Sequence, residues 1–121
     1  ADLDSALATP PNTSPALFVL ATERGGPIKY TGPMTIQDAD VQLSIVLMVR
    51  SAADERHGAG AKREARLVIA QLRRALIGWT PDEAFAPLAF YAGRDDRYSA
   101  GWYAGQQIFA SGYRIQNQPT D

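Results

Sequence analysis

In "ADVQLSIVLMVR", Ala39 to Arg50, apolar residues fall on every second position. Val41, Leu43, Ile45, Leu47 and Val49 share one side, with Gln42 and Ser44 on the other. That alternation is the period of a strand with one buried face. Val46 and Met48 make the second half apolar on both faces, so its back needs cover from another element or another subunit. Upstream, "ALFVLATE", Ala16 to Glu23, is a continuous apolar run and predicts a buried strand. The intervening "RGGPIKYTGPMTIQD" carries Gly25, Gly26, Pro27, Gly32 and Pro33, and predicts a long turn or a loosely paired extension.

After the polar link "SAADERHGAGA" the period changes. Ala65, Val68, Ile69, Leu72 and Leu76 form the stripe of an amphipathic helix from about Ala61 to Ile77. At roughly 1.5 Å per residue it is about 25 Å long. Gly78 suits its C-terminal cap and Pro81 stops it. "PLAFYAGRDDRYSAG" and "WYAGQQIFASGYRI" predict a final hairpin or meander. In the second, Gln107, Phe109, Ser111, Tyr113 and Ile115 face one way, and Ile108, Ala110, Gly112 and Arg114 the other. Neither side is purely apolar, which suits an edge or interface strand. Residues 1–15, with Pro10, Pro11 and Pro15, read as an irregular lead-in, and residues 116–121 as a flexible tail. The expected fold is one α+β domain over 1–121: a mostly antiparallel sheet of about four strands with one long amphipathic helix packed across it.

Composition narrows the class without naming a function. The chain has 121 residues, 45 % of them hydrophobic and 21 % charged, which is ordinary for one globular domain. A formal net charge of −1 gives no overall attraction to nucleic acid or anionic membranes. No apolar run reaches the roughly 18 residues of a membrane span. No secretory leader is visible. Without cysteine there are neither disulfides nor thiolate metal sites. The chain opens on Ala1 without methionine, which leaves processing or truncation at the front open.

Charge is concentrated on the helix. Lys62, Arg63, Arg66, Arg73 and Arg74 against Glu64 give it a net +4. A basic helix can sit on phosphates, but no helix-turn-helix partner, zinc ligand set or aromatic RNA signature accompanies it. A solvated or intersubunit face is the better reading, with arginines meeting Asp82, Glu83, Asp95 or Asp96 of a neighbour. Gly58, Gly60 and Lys62 have the wrong spacing for a phosphate loop, and Arg63 occupies the position a Ser or Thr, or a third glycine, would need. His57 is the one histidine, and the paired acids at Asp54–Glu55, Asp82–Glu83 and Asp95–Asp96 lack catalytic or metal-binding spacing. No catalytic residue, cofactor or metal site is expected. Trp79 is expected to pack; Trp102 stays open between a core and a contact role.

The order of these segments carries a resemblance. A strand ending "VLMVR", a charged loop with His-Gly, a helix ending "LRRALIGW", then "APLAF" and "WYAGQQIFASGYRI" resemble the Mu-like bacteriophage tail terminator, or tail-completion, family over roughly Pro15 to Ile115. Such relatives carry a fuller N-terminal helix, of which "ADLDSALA" reads as a remnant. The resemblance implies a non-enzymatic structural protein of the virion, assembled in the host cytoplasm. It implies a homohexameric ring that caps the tail tube and joins it to the neck or head-tail connector, with no membrane or specific nucleic-acid partner. On that reading Arg66, Arg73, Arg74, Asp95, Asp96, Trp102 and Tyr103 are candidates for the contact between subunits. Arg24, Lys29, Arg56 and His57, in the loops Arg24–Pro33 and Ser51–Gly60, are candidates for contact with tube or connector. The alternatives are another neck or head-tail joining protein, or a small basic-helix adaptor for nucleic acid or a regulatory partner.

Overall fold

The computed structural model describes residues 8, 11–50 and 59–117. Four strands and one helix follow in the expected order: β1 (Ala16–Thr31), β2 (Met34–Arg50), α1 (Ala59–Leu76), β3 (Ala89–Ser99) and β4 (Trp102–Asn117). All pairings are antiparallel, in the sheet order β1-β2-β4-β3. An isolated bridge between Phe85 and Tyr113 adds a one-residue fifth segment along the margin of β4. The class is α+β, mostly antiparallel sheet with one helix.

The helix is short against this sheet. Its 18 residues span about 27 Å at 1.5 Å per residue. The 17 residues of β2 run for about 56 Å at roughly 3.3 Å each. Helix cover therefore reaches only part of the sheet, and the ends of β1, β2 and β4 project beyond it as an arm. Leu47, Val49 and Tyr103 meet Ala61, Ala65, Val68 and Ile69; further along, Ile45, Phe109 and Leu88 meet Leu72 and Leu76. Ala61 and Ala65 carry small side chains there, which lets the helix start lie close to the sheet. Gly78 ends the helix at φ +87°, a left-handed conformation that suits glycine. Its N–H donates to the Leu88 carbonyl at 2.8 Å, and the Leu88 N–H to the Trp79 carbonyl at 2.9 Å, which ties the return loop down.

The opposite face, here the back face, has its own core. Val46 and Met48 are fully buried with Trp102, Ala104 and part of Phe18. The apolar second half of β2 is thus covered on both sides within a single chain.

Four strand expectations change. Arg24–Pro33 is no loop: β1 continues to Thr31 and turns back through Gly32 and Pro33, Gly32 at φ +60°. A register shift between Gly25 and Ile28 absorbs Gly26 and Pro27, which an edge strand tolerates. β4, expected at an edge, lies inside the sheet between β2 and β3. β1, expected to be buried, is the edge, with Leu17, Val19 and Leu20 exposed. Gln116 and Asn117, placed in the tail by sequence, pair with Ile36 and Thr35.

Candidate functional site

The sequence-derived residues do not converge on one place. Arg66 and Arg74 lie exposed on the helix. Arg73 is committed inside its own chain. Its Nε and Nη2 donate to Gln107 Oε1 at 3.1 and 2.9 Å, and its guanidinium stands 4.5 Å over the Phe90 ring. Gln107 passes the network on, donating from Nε2 to the Gln106 carbonyl, and Gln106 Nε2 donates to Ser44 Oγ at 2.7 Å. These contacts let two buried glutamines sit in an inner strand.

Arg73→Ala removes both donors to the Gln107 oxygen. The variant is expected to lose about 1–3 kcal/mol of stability, the cost of leaving a buried acceptor unpaired. Arg73→Lys, which keeps charge without the planar fork, should recover only part of it. Chemical denaturation checks both; an Ala variant as stable as the parent would show that the network contributes nothing.

Trp102 and Tyr103 are buried within the chain and have little surface left for a neighbour, which corrects their assignment as contact residues. The Arg50 guanidinium stands 4.9 Å over the Trp102 ring, closing that end of the back-face core. Asp95 and Asp96 lie in β3, in the irregular stretch between Arg94 and Arg97. Arg56 and His57 lie outside the described residues. Trp79, expected to pack, is half-exposed and rims a small apolar notch with Val41, Leu43, Pro81, Phe85 and Leu88.

The projecting arm carries the other group. Arg24 and Lys29 are exposed along β1, with Ile28 and Tyr30 beside them. Polar pairs brace the arm from within. Arg114 Nε donates to Asp38 Oδ1 at 3.0 Å, and the Tyr113 hydroxyl donates to Glu23 Oε2 at 3.0 Å while its ring packs 4.8 Å from Phe85. The Arg114 hydrogen bond holds the Asp38 carboxyl below its ordinary pKa. The support this brings exists above the ordinary aspartate value and is lost as pH falls through the depressed one. The bond to Glu23 raises the Tyr113 phenol, so that contribution is complete below pH 10 and fades only as pH climbs through the raised value. Both braces are intact at neutral pH.

On the back face Thr22, Arg24, Asp40, Gln42, Tyr91 and Ala110 line an open depression of about 660 Å³. It is broad and open, unlike an enclosed ligand pocket. No group of three or more His, Cys, Asp or Glu that could hold a metal ion is found among the described residues. The outstanding features are therefore surfaces: an apolar edge strand, a projecting arm and a basic helix flank. The apolar edge was the one that sequence reasoning missed. Its signal was present in "ALFVLATE", whose apolar run fits a strand covered on every side.

No curated protein and no solved structure matches the chain. The family model described as phage tail terminator protein matches residues 1–119, nearly the whole chain. The chain therefore belongs to the phage tail terminator family, structural components of the virion that work against other tail and head proteins.

Proposed function

We propose that this protein, of the Mu-like branch, forms a homohexameric ring at the junction of tail and neck. One face of the ring caps the last layer of tail-tube subunits and the other receives the neck or head-tail connector. The carrying observation is family membership over residues 1–119 in a chain whose two sheet edges differ. A closed ring needs such a pair of unlike patches on every subunit. Capping is then steric: the tube-facing side is occupied, the opposite side differs, and no further tube subunit can add. Arg73, held on Gln107 and Phe90, has less to offer a phosphate backbone, so the nucleic-acid adaptor reading gains nothing.

Tube or connector contact is assigned to the arm. Tyr30 is 75 % exposed at its end, next to exposed Lys29 and close to Ile28. An exposed aromatic of this kind is a typical binding anchor. Light scattering after size-exclusion chromatography should give a species of roughly 80 kDa, six times the 13.1 kDa chain, alone or on added tube. Tyr30→Ala should keep that mass and bind tube or connector about thirtyfold more weakly, the equivalent of roughly 2 kcal/mol for a lost anchor. Tails of normal length joined normally to heads in the Tyr30→Ala background would remove the arm from the mechanism. A chain that stays monomeric on tubes would remove the ring.

A further inference from the structure

β1 has the sequence of an interior strand and the position of an edge. From Ala16 to Gly25 its pairing with β2 runs without a register shift. Along it Leu17, Val19 and Leu20 are 45, 58 and 46 % exposed. Leu17 and Val19 pair with Leu47 and Ile45 on the helix side, and Leu20 with Ser44 on the back, so apolar surface is left on both faces. Natural sheets blunt their edges with bulges, charges or proline, because a regular apolar edge recruits another strand. The run from Ala16 to Thr22 has none of the three.

The opposite edge is built differently. β3 is irregular at Phe90/Ala92 and at Arg94/Arg97, and it carries the charged run Arg94 to Arg97. The register sets Ala16 level with Arg97, Phe18 with Arg94 and Val19 with Gly93. A head-to-tail neighbour at that height would lay charge against the apolar run. Each chain thus carries one open edge and one blunted edge.

We infer that the free protein pairs β1 with β1 of a second copy, antiparallel, about a two-fold axis that passes through Val19 perpendicular to the sheet. Residues directly opposite in an antiparallel pair lie on one side of the sheet, so such an axis must pass through a residue. Through Val19 it sets Leu17 against Ala21, Phe18 against Leu20 and Ala16 against Thr22, each twice, and Val19 against itself. Moving the axis to Leu20 sets Leu17 against Glu23 and Ala16 against Arg24. Moving it to Phe18 brings Pro15, which has no N–H, against Ala21. Val19 is therefore the centre. The contact closes at two chains: it consumes both open edges and leaves the blunted β3 edges at the outer margins, where the sheet stops.

The axis reverses the strands, so the two arms of the pair point in opposite directions. A ring that meets one tube needs all its arms on one side. Pair and ring exclude each other, and the tail must open the pair; this last step, unlike the pair itself, rests on the ring reading above.

The chain has no cysteine, so introduced thiols report without background. Free Val19→Cys protein, mildly oxidised, should give one reducible dimer band and nothing larger. Cβ atoms directly opposite stand about 4.5–5.5 Å apart, close to disulfide reach. Lys29→Cys, out on the exposed arm, should not link. Light scattering of the free parent should give roughly 26 kDa, twice the 13.1 kDa chain. Val19→Glu and Val19→Lys, at an exposed position, should each keep native circular dichroism and fall to the monomer mass. Mixing the two should restore the pair. Oxidised Val19→Cys protein should bind tail tubes only after reduction. A free parent chain that is monomeric, or of ring mass with no link through Val19→Cys, would overturn the pairing and leave the ring standing. A pair that persists on tubes with no species of ring mass would uphold the pairing and remove the ring. An oxidised pair that binds tubes as well as the reduced protein would overturn the exclusion.

Discussion

Phe109→Ala is expected to lower the unfolding free energy by about 3–5 kcal/mol, the usual cost of emptying a buried aromatic site. Phe109 is fully buried, and it joins three elements. It packs with Ile45 of β2, with Leu72 and Leu76 of the helix, and with Leu88 of the return loop, and the Phe90 ring meets it edge-on at 6.2 Å. Collapse into the space is hard, because the neighbours belong to a sheet and a helix already fixed by their own hydrogen bonds. A domain of this size has about 5–15 kcal/mol in total, so the loss takes a large share. Urea denaturation of parent and variant at equal concentration measures it. The midpoint should fall with little change in slope, since the surface exposed on unfolding is nearly the same. Leu67→Ala is the companion variant. Leu67 is 67 % exposed on the outer side of the helix, and a shift within about 0.5 kcal/mol is expected there. A Phe109→Ala loss under 1 kcal/mol would mean that this core is far looser than its burial indicates.

The helix and the order of elements were readable because periodicity is local. Ala65, Val68, Ile69, Leu72 and Leu76 all turn toward the sheet, as their spacing requires, and only the ends moved, from Ala61 to Ala59 and from Ile77 to Leu76. Position within the sheet is a different quantity. Alternation says which residues share a side and nothing about which strand lies beside which, so β1 and β4 exchanged roles. β4 looked peripheral because Gln106 and Gln107 interrupt its apolar positions. Their partners, Ser44 and Arg73, come from distant parts of the chain and leave no local trace. β1 looked interior because it is composed as an interior strand, yet it lies at the edge with Leu17, Val19 and Leu20 exposed. Gly25, Gly26 and Pro27 mimicked a loop, although an edge strand accommodates them: a side chain at Gly26 would stand 2.9 Å from the Asp38 carbonyl oxygen, so the glycine serves close strand pairing. Among the candidate contact residues Arg24, Lys29, Arg66 and Arg74 are exposed; Arg73 is exposed too but hydrogen-bonded to Gln107, and Trp102 and Tyr103 are buried in the fold itself.

Val46→Asp is expected to abolish stable folding at neutral pH while leaving no assembly defect to explain separately. Val46 is fully buried on the back face, among Met48, Trp102, Ala104 and Phe18, and the one cation the structure sets against that cluster, Arg50, is engaged over the Trp102 ring. An unpaired carboxylate there loses its hydration, and the group responds by shifting its pKa upward or by unfolding the chain. The sign follows. A folded-state pKa raised above the ordinary value near 4 means that the penalty is greatest above the raised pKa and shrinks as pH falls toward the unfolded one. The variant should therefore be more stable near pH 4.5 than at pH 8, opposite to the trend expected from the Asp38–Arg114 brace. Gln42→Asp provides the control. Gln42 lies on the same face of the same strand, four residues away, but it is exposed. A carboxylate there should cost within about 0.5 kcal/mol in the isolated chain. The contrast brackets the edge of the back-face core between Gln42 and Val46. It also separates cover by the chain itself from cover by a neighbour, because a site that only assembly buries would let the Val46→Asp monomer fold. Denaturation of both variants at the two pH values decides it; a folded Val46→Asp monomer at pH 8 would reassign that face to a subunit contact.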